Sequence, residues 1–204
     1  MNNSLKGYTI QRRGRIFVIS APSGTGKTSI INEILKLKKN IVLSVSYTTR
    51  EKRHSEVHGK DYVFTSKENF EKLIDDNFFI EYANIYGNYY GIPQIDTNNV
   101  LSSGVNAIFI VDYHGFKVLK GIYKSDVVGI YILPPSVNEL ATRLQVRASD
   151  NNINERINDF SNQLRVVSKY DYLIINDNLT SAVDNLIAII DAEQLSMKNS
   201  IFTY

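Results

Sequence analysis

The stretch Ile16-Phe-Val-Ile-Ser-Ala-Pro-Ser-Gly-Thr-Gly-Lys-Thr28 constrains the fold more than any other part of the chain. Its first residues, Ile16 to Ile19, read as a buried strand that stops at a turn rich in Ser and Gly. Lys27 and Thr28 then open Ser29 to Leu37, which has a helical apolar pattern. Strand, Gly-rich loop and a Lys-Thr pair at the head of a helix make a phosphate-binding loop. Such a loop turns backbone N–H groups inward as an anion nest, and the helix N-terminus adds partial positive charge. The Lys27 ammonium reaches the outer phosphates of a triphosphate, and the Thr28 hydroxyl is a candidate Mg²⁺ ligand. Ala21, Pro22, Ser23, Gly24, Thr25, Gly26, Lys27, Thr28 and Ser29 are therefore the candidate donor-phosphate site. An ordinary strand–turn–helix is the plain alternative, and the flanking strand and helix argue against it. Ala21 stands where the strict motif has Gly. A Cβ is tolerated there at negative φ and costs roughly 1 kcal/mol or more at positive φ.

A chain of 204 residues fits one domain with inserted subdomains. Its 43% hydrophobic and 22% charged residues are those of a soluble globular protein. It has no cysteine, which excludes disulfides, Cys-bound zinc and thiol catalysis and fits a cytoplasmic location. No apolar run approaches the roughly 18 residues of a membrane span. Met1 to Arg15 carries basic residues without an apolar core, so it is not a secretory signal and is expected to be a flexible, partly ordered extension. A net charge of +2 does not suggest nucleic-acid binding. Positive charge is concentrated instead: Arg50, Lys52 and Arg53 follow one strand, and Arg143, Arg147 and Arg156 recur in a later helical region. His54, His58 and His114 show no metal-ligand spacing and are expected to be solvated.

Apolar strands over 16–19, 41–45, 107–111, 127–133 and 172–175 alternate with helical patterns. That order predicts an α/β fold, a parallel sheet with helices on both faces. The middle differs, with short aromatic strands and few helices, and reads as a smaller mixed α+β insertion over the phosphate edge. Ser66 is expected to cap a helix over 67–76. Residues 86–93 read as too polar and too broken by Gly for a central strand, and 172–175 reads as the last strand. Asp112, at the carboxyl end of a buried strand, lies where open α/β sheets bind ligands, although a helix N-cap is an equal reading.

The insertion carries groups suited to an acceptor phosphate and its base. Arg50 and Arg53 suit bidentate contact with phosphate oxygens, and Tyr62 and Tyr90 offer hydroxyl donors. Glu81 offers two acceptor oxygens. Guanine presents two adjacent N–H donors to such a carboxylate and adenine does not, so a buried carboxylate discriminates between them. Ser46 adds a polar group to base or phosphate.

These residues fall in a longer pattern. Ser44-Val-Ser-Tyr-Thr-Thr-Arg-Glu-Lys-Arg53, Glu56-x-x-Gly59-x-Asp61-Tyr62-x-Phe64, Phe79-Ile-Glu-Tyr82, Gly87-Asn-Tyr-Tyr-Gly91, Ile132-Leu-Pro-Pro-Ser136, Arg143-Leu-x-x-Arg147 and Asn176-Asp177 together resemble the guanylate kinase family over about residues 15 to 192. The resemblance implies a P-loop core (15–45, 94–146 and 169–204), a GMP-binding insertion (46–93) and a helical lid (147–168), after an N-terminal extension (1–14). It implies transfer of the γ-phosphoryl group of Mg·ATP to GMP, and to dGMP, in purine metabolism. Ser46, Arg50, Arg53, Tyr62, Glu81, Tyr90, Gly91 and Asp112 match GMP-site positions. Lys27, Arg50, Arg143, Arg147 and Arg156 match the catalytic cations, and Asn176 matches a position near the adenine. Ile92 stands where the family has a hydroxyl contacting guanine, and Ile110 where it has an acidic residue. Monomer and homodimer both remain open. Two other readings are a non-catalytic phosphopeptide-binding module and a nucleoside monophosphate kinase of shifted base specificity. The retained Gly24, Gly26, Lys27 and Thr28 argue against the first.

Overall fold

Every residue from Ile16 to Ser20 is buried, because this strand lies in the middle of a sheet covered on both faces. The computed structural model describes residues 2–5, 8–54, 56–94, 97–146 and 153–203. In chain order, β1 (Asn2–Leu5) and β2 (Tyr8–Arg12) precede β3 (Ile16–Ser20), α1 (Lys27–Leu37) and β4 (Ile41–Ser44). Then come β5 (Tyr47–Thr48), β6 (Val63–Phe64), α2 (Lys67–Asp75), β7 (Phe79–Ile85) and β8 (Asn88–Pro93). The chain continues through α3 (Thr97–Ser102), β9 (Asn106–Ile110), α4 (Tyr113–Tyr123), β10 (Val127–Leu133), α5 (Val137–Val146) and α6 (Ile153–Leu164). It ends with β11 (Tyr172–Ile175), α7 (Leu179–Leu195) and β12 (Ser200–Thr203).

Among the described residues the central sheet has five parallel strands in the order β11-β10-β3-β9-β4, the five expected from the apolar runs. One face packs Phe17, Ile19, Ile108 and Ile130 against α1 and α7, through Ile30, Ile34, Leu186 and Ile190. The other packs Ile16, Val18 and Phe109 against α3 and α4, through Leu101, Phe116 and Leu119. Both faces are apolar, so these strands read as continuous hydrophobic runs. Among the described residues no helix is long and apolar enough to cross a membrane.

A second sheet, β6-β5-β8-β7, stands beside the first. Its neighbour α2 starts as expected, with the Ser66 hydroxyl accepting from the Asn69 N–H at 3.2 Å. Residues 88–93 correct the sequence reading: they form an interior strand, paired with β5 on one side and β7 on the other. The strand is reached by a two-residue hairpin in which Tyr86 and Gly87 both have positive φ, 50° and 80°. That turn matches the strand twist, but Tyr is not a usual residue for its first position. Glycine at 91 is a packing requirement. A Cβ there would lie 2.7 Å from the Phe79 ring and 2.8 Å from Phe70, which stack with centroids 4.5 Å apart.

The N-terminal stretch, expected as a flexible extension, has regular structure. Strand β2 pairs with β1 and with β12, which follows β11 and α7, so β11 is not the last strand. This pairing joins the two ends of the chain, a contact no local pattern announces. Within the stretch expected as a helical lid, α6 ends at Leu164.

Candidate active site

The loop after β3 leaves the sheet between β9 and β10. Gly24 and Gly26 take φ of 88° and 92°, and Gly26 is the N-cap of α1. Gly26 has no side chain with which to cap α1 and no acidic residue lies in its first turn, so no carboxylate there offsets the positive end of the helix. Ala21 has a negative φ, as its Cβ requires. The Lys27 ammonium lies 3.4 Å from the Ala21 carbonyl, drawn back over the loop. Thr28 and Ser29 are exposed at the head of the helix.

Bonds from behind hold the loop. The buried Asn176 amide donates to the Thr25 carbonyl at 2.6 Å. Arg143 donates to the Asn176 carbonyl at 3.1 Å and is oriented by Glu139 at 2.8 Å. The Thr25 hydroxyl donates to the Pro22 carbonyl at 2.8 Å. A Cβ on Gly26 would lie 2.5 Å from Asn176 Nδ2. The structure thus engages the side chain of Asn176, a candidate adenine neighbour, with the loop backbone. At the end of β3 the Ser20 hydroxyl donates to the Val111 carbonyl at 2.6 Å and accepts from the Tyr170 hydroxyl at 2.8 Å. That chain ties the loop's root to the residue before Asp112.

On the second sheet, Arg50, Arg53, Tyr62 and Tyr90 meet in one cluster. The Tyr62 and Tyr90 rings are edge to face at 5.9 Å, and the Arg50 guanidinium lies 5.7 Å from the centre of Tyr62. Burial, then Tyr90, raises the Tyr62 phenol, so it stays a neutral donor. Sequence reasoning missed the role of Glu56. Its carboxylate accepts from Arg50 at 2.7 Å and from the Arg53 backbone N–H at 2.8 Å, with the Arg53 guanidinium at 3.8 Å. Burial alone would raise this carboxyl; the hydrogen bonds from Arg50 and Arg53 and their charges outweigh it and hold it below its ordinary value. The signal available was spacing, Arg-x-x-Arg-x-x-Glu over 50–56.

Glu81 lies on β7, opposite Ile92 of β8. Its Oε1 is buried and has no hydrogen-bond partner among the described residues. Burial, then Asp112, pushes the carboxyl up, and His114 opposes the shift. Asp112 itself caps α4, accepting from the Gly115 N–H at 2.9 Å, as the N-cap reading expects, and its charge also acts on Glu81. Ile92 is 2% exposed, within the core rather than beside solvent. Ser46 is half-buried and its carbonyl accepts from Val63 at 2.9 Å. Arg147 and the side chain of Arg156 lie outside the described residues. Helix α6 meets the tip of the β7–β8 hairpin, where the Tyr86 hydroxyl donates to Asp159 at 3.2 Å.

The arrangement has three parts: a backbone nest, a cluster of arginines and tyrosines, and a carboxylate pair. The guanylate kinase family model matches residues 13–193. The guanylate kinase of Agrobacterium fabrum is 41% identical over 96% of this chain and 89% of its own length. That of Bartonella henselae is 43% identical over 94% of this chain and 87% of its own. The crystal structure of guanylate kinase from Anaplasma phagocytophilum superposes with a TM-score of 0.78 at 32% identity, covering 94% of this chain and 92% of that one. With motif order, fold and full-length similarity in agreement, the chain belongs to the guanylate kinase family, whose reaction passes a phosphoryl group from ATP to GMP.

Proposed function

We propose that the loop from Ala21 to Ser29 holds the ATP phosphates and that the second sheet, within residues 46–93, holds GMP. Arg50, Arg53, Tyr62 and Tyr90 grip the acceptor phosphate, while Glu81, Asp112 and Ser46 meet the guanine. The observation that carries this reading is Glu81: a buried carboxylate oxygen with no hydrogen bond among the described residues demands donors. The N1–H and N2 amino groups of guanine supply two side by side. Adenine lacks that pair and would leave the carboxylate unsatisfied.

The acceptor phosphate oxygen attacks the γ-phosphorus in line. A phosphate dianion is already nucleophilic, so the chain needs no general base and contributes alignment and charge. Lys27 leaves the Ala21 carbonyl to bridge the outer phosphates. Arg143, Arg147 and Arg156 neutralise the transferring group, and residues 147–168 act as the lid that excludes water.

The donor set also fits Mg²⁺. One exposed threonine hydroxyl beside the phosphate loop, without a cluster of three acidic or His residues among those described, suits an ion that keeps its waters and takes most ligands from substrate. Bound with ATP, the ion would neutralise charge on the β- and γ-phosphates. Thr28 would hold it. We place the reaction in the cytoplasm, in purine nucleotide metabolism, with dGMP as a second acceptor because it carries the same base edge and phosphate. A coupled ADP-release assay with GMP, dGMP, AMP, UMP and CMP tests the reading. GMP and dGMP should turn over and the others should lag far behind. No activity with any acceptor would leave a binding module, and AMP preferred over GMP would overturn the guanine assignment.

A further inference from the structure

Beside Glu81 stands a group that neither the phosphate grip nor the transfer uses. His114 lies in the first turn of α4, two residues after the Asp112 cap, with Nε2 3.8 Å from Glu81 Oε1. It is 61% exposed, as expected for a solvated histidine, yet it faces the carboxylate assigned to the base. We propose that His114 is a specificity-determining residue that holds Glu81 as the anion guanine requires, so that the choice between guanine and adenine depends on pH. The inference rests on Glu81 meeting the base.

An ionised carboxylate offers two acceptors, the complement of guanine N1–H and its N2 amino group. A neutral carboxylic acid offers one donor and one acceptor. That is the complement of adenine, whose N6 amino group donates and whose N1 accepts. A proton on Glu81 therefore weakens guanine binding and makes adenine acceptable. Burial and Asp112 both favour that proton. On α4, Asp112 acts on Glu81 as a like charge, and Lys117, three residues after His114, holds its ammonium 5.3 Å from the Tyr113 ring. Tyr170 stands beyond Asp112 and feels its charge. From β8 the facing residue is the apolar Ile92. Among the described residues His114 is the cation whose charge acts on the Glu81 carboxyl. Set 3.8 Å from Glu81 Oε1, an imidazolium at this position opposes the proton that burial and Asp112 favour.

The test is the GMP-to-AMP ratio of kcat/KM between about pH 5 and 8 for the wild type, His114→Gln and His114→Lys. The wild-type ratio should fall toward acid. At about pH 5.5 His114→Gln should have a ratio about two- to fivefold below wild type, the size an exposed ion pair supports. The two profiles should converge toward pH 8. His114→Lys, which keeps the charge, should hold the wild-type ratio at acid pH. Superposed wild-type and Gln profiles, or a Lys profile that follows Gln, would overturn the role of His114 while GMP turnover stood. Loss of all GMP turnover in the wild type would overturn the acceptor assignment and this inference with it.

Discussion

At the end of β3 the groups that would meet phosphate belong to the backbone, set by Gly24 and Gly26 at φ of 88° and 92°. Around the sheet of β5 to β8 they belong to side chains: Arg50, Arg53, Tyr62 and Tyr90. The two constructions have different needs. A backbone nest needs conformations that only glycine takes easily, and anchors behind it, which Asn176 and Arg143 supply. A side-chain cluster needs packing beneath it and a counter-ion, because two nearby guanidiniums repel. The stacked Phe70 and Phe79 supply the packing, and Glu56 supplies the charge. The donor half should therefore tolerate changes of side chain, as it does at Ala21, and fail on an added Cβ. The acceptor half should show the reverse.

Lys27 is the exception that sharpens this contrast, a side chain of the donor loop to which the proposal gives a part in the transfer itself. Lys27→Ala should lower kcat by about 100- to 1000-fold, the scale for losing one preorganised group at the transition state. GMP binding, followed by calorimetry, should persist; wild-type turnover in this variant would remove Lys27 from the mechanism.

Gly26→Ala should come next. A residue forced to positive φ costs about 1–3 kcal/mol, which is roughly 5- to 150-fold in ATP affinity if the loop must be reshaped to bind. The new Cβ would also lie 2.5 Å from Asn176 Nδ2. Unchanged ATP affinity would contradict a backbone-built donor site.

Glu56→Gln should act only on the acceptor half, raising KM for GMP by about tenfold or less while kcat holds, as one charge-assisted contact is lost. A fall in KM would instead make Glu56 a competitor for the arginines. Stability gives the sign independently. The carboxyl is held low in the folded chain, so its contribution is present above the unfolded value near ~4.3 and is lost as pH falls through the lower folded one. Thermal unfolding should separate wild type from Glu56→Gln at neutral pH and bring them together in acid.

The donor half was legible because strand, loop and helix are contiguous and each carries its own local signal. The five parallel strands were legible because both faces of that sheet are buried. Ser66 and Asp112 were readable as caps because capping is a matter of a few residues. Strand β8 was not: its aromatic and polar residues mimic a loop until β5 and β7 pair with it, and its hairpin lacks the usual Asn-Gly signal. The sheet of β1, β2 and β12 was not, because its partners lie at opposite ends of the chain. Asn176 could be placed near the nucleotide by resemblance, but its bond to Thr25 depends on the tertiary approach of β11 to the loop. Glu56 was visible as a residue and invisible as a counter-ion, since residues 51–54, which lead to it from Arg50, form no helix or strand.

The central claim is that Glu81, whose buried Oε1 accepts no hydrogen bond among the described residues, selects the acceptor base. It is tested most directly by the GMP-to-AMP ratio of kcat/KM for wild type and Glu81→Gln at about pH 8. Glutamine keeps the shape but presents one acceptor and one donor group, so the ratio should fall by about 100-fold or more. A Glu81→Gln protein that kept the wild-type preference for GMP would contradict the account.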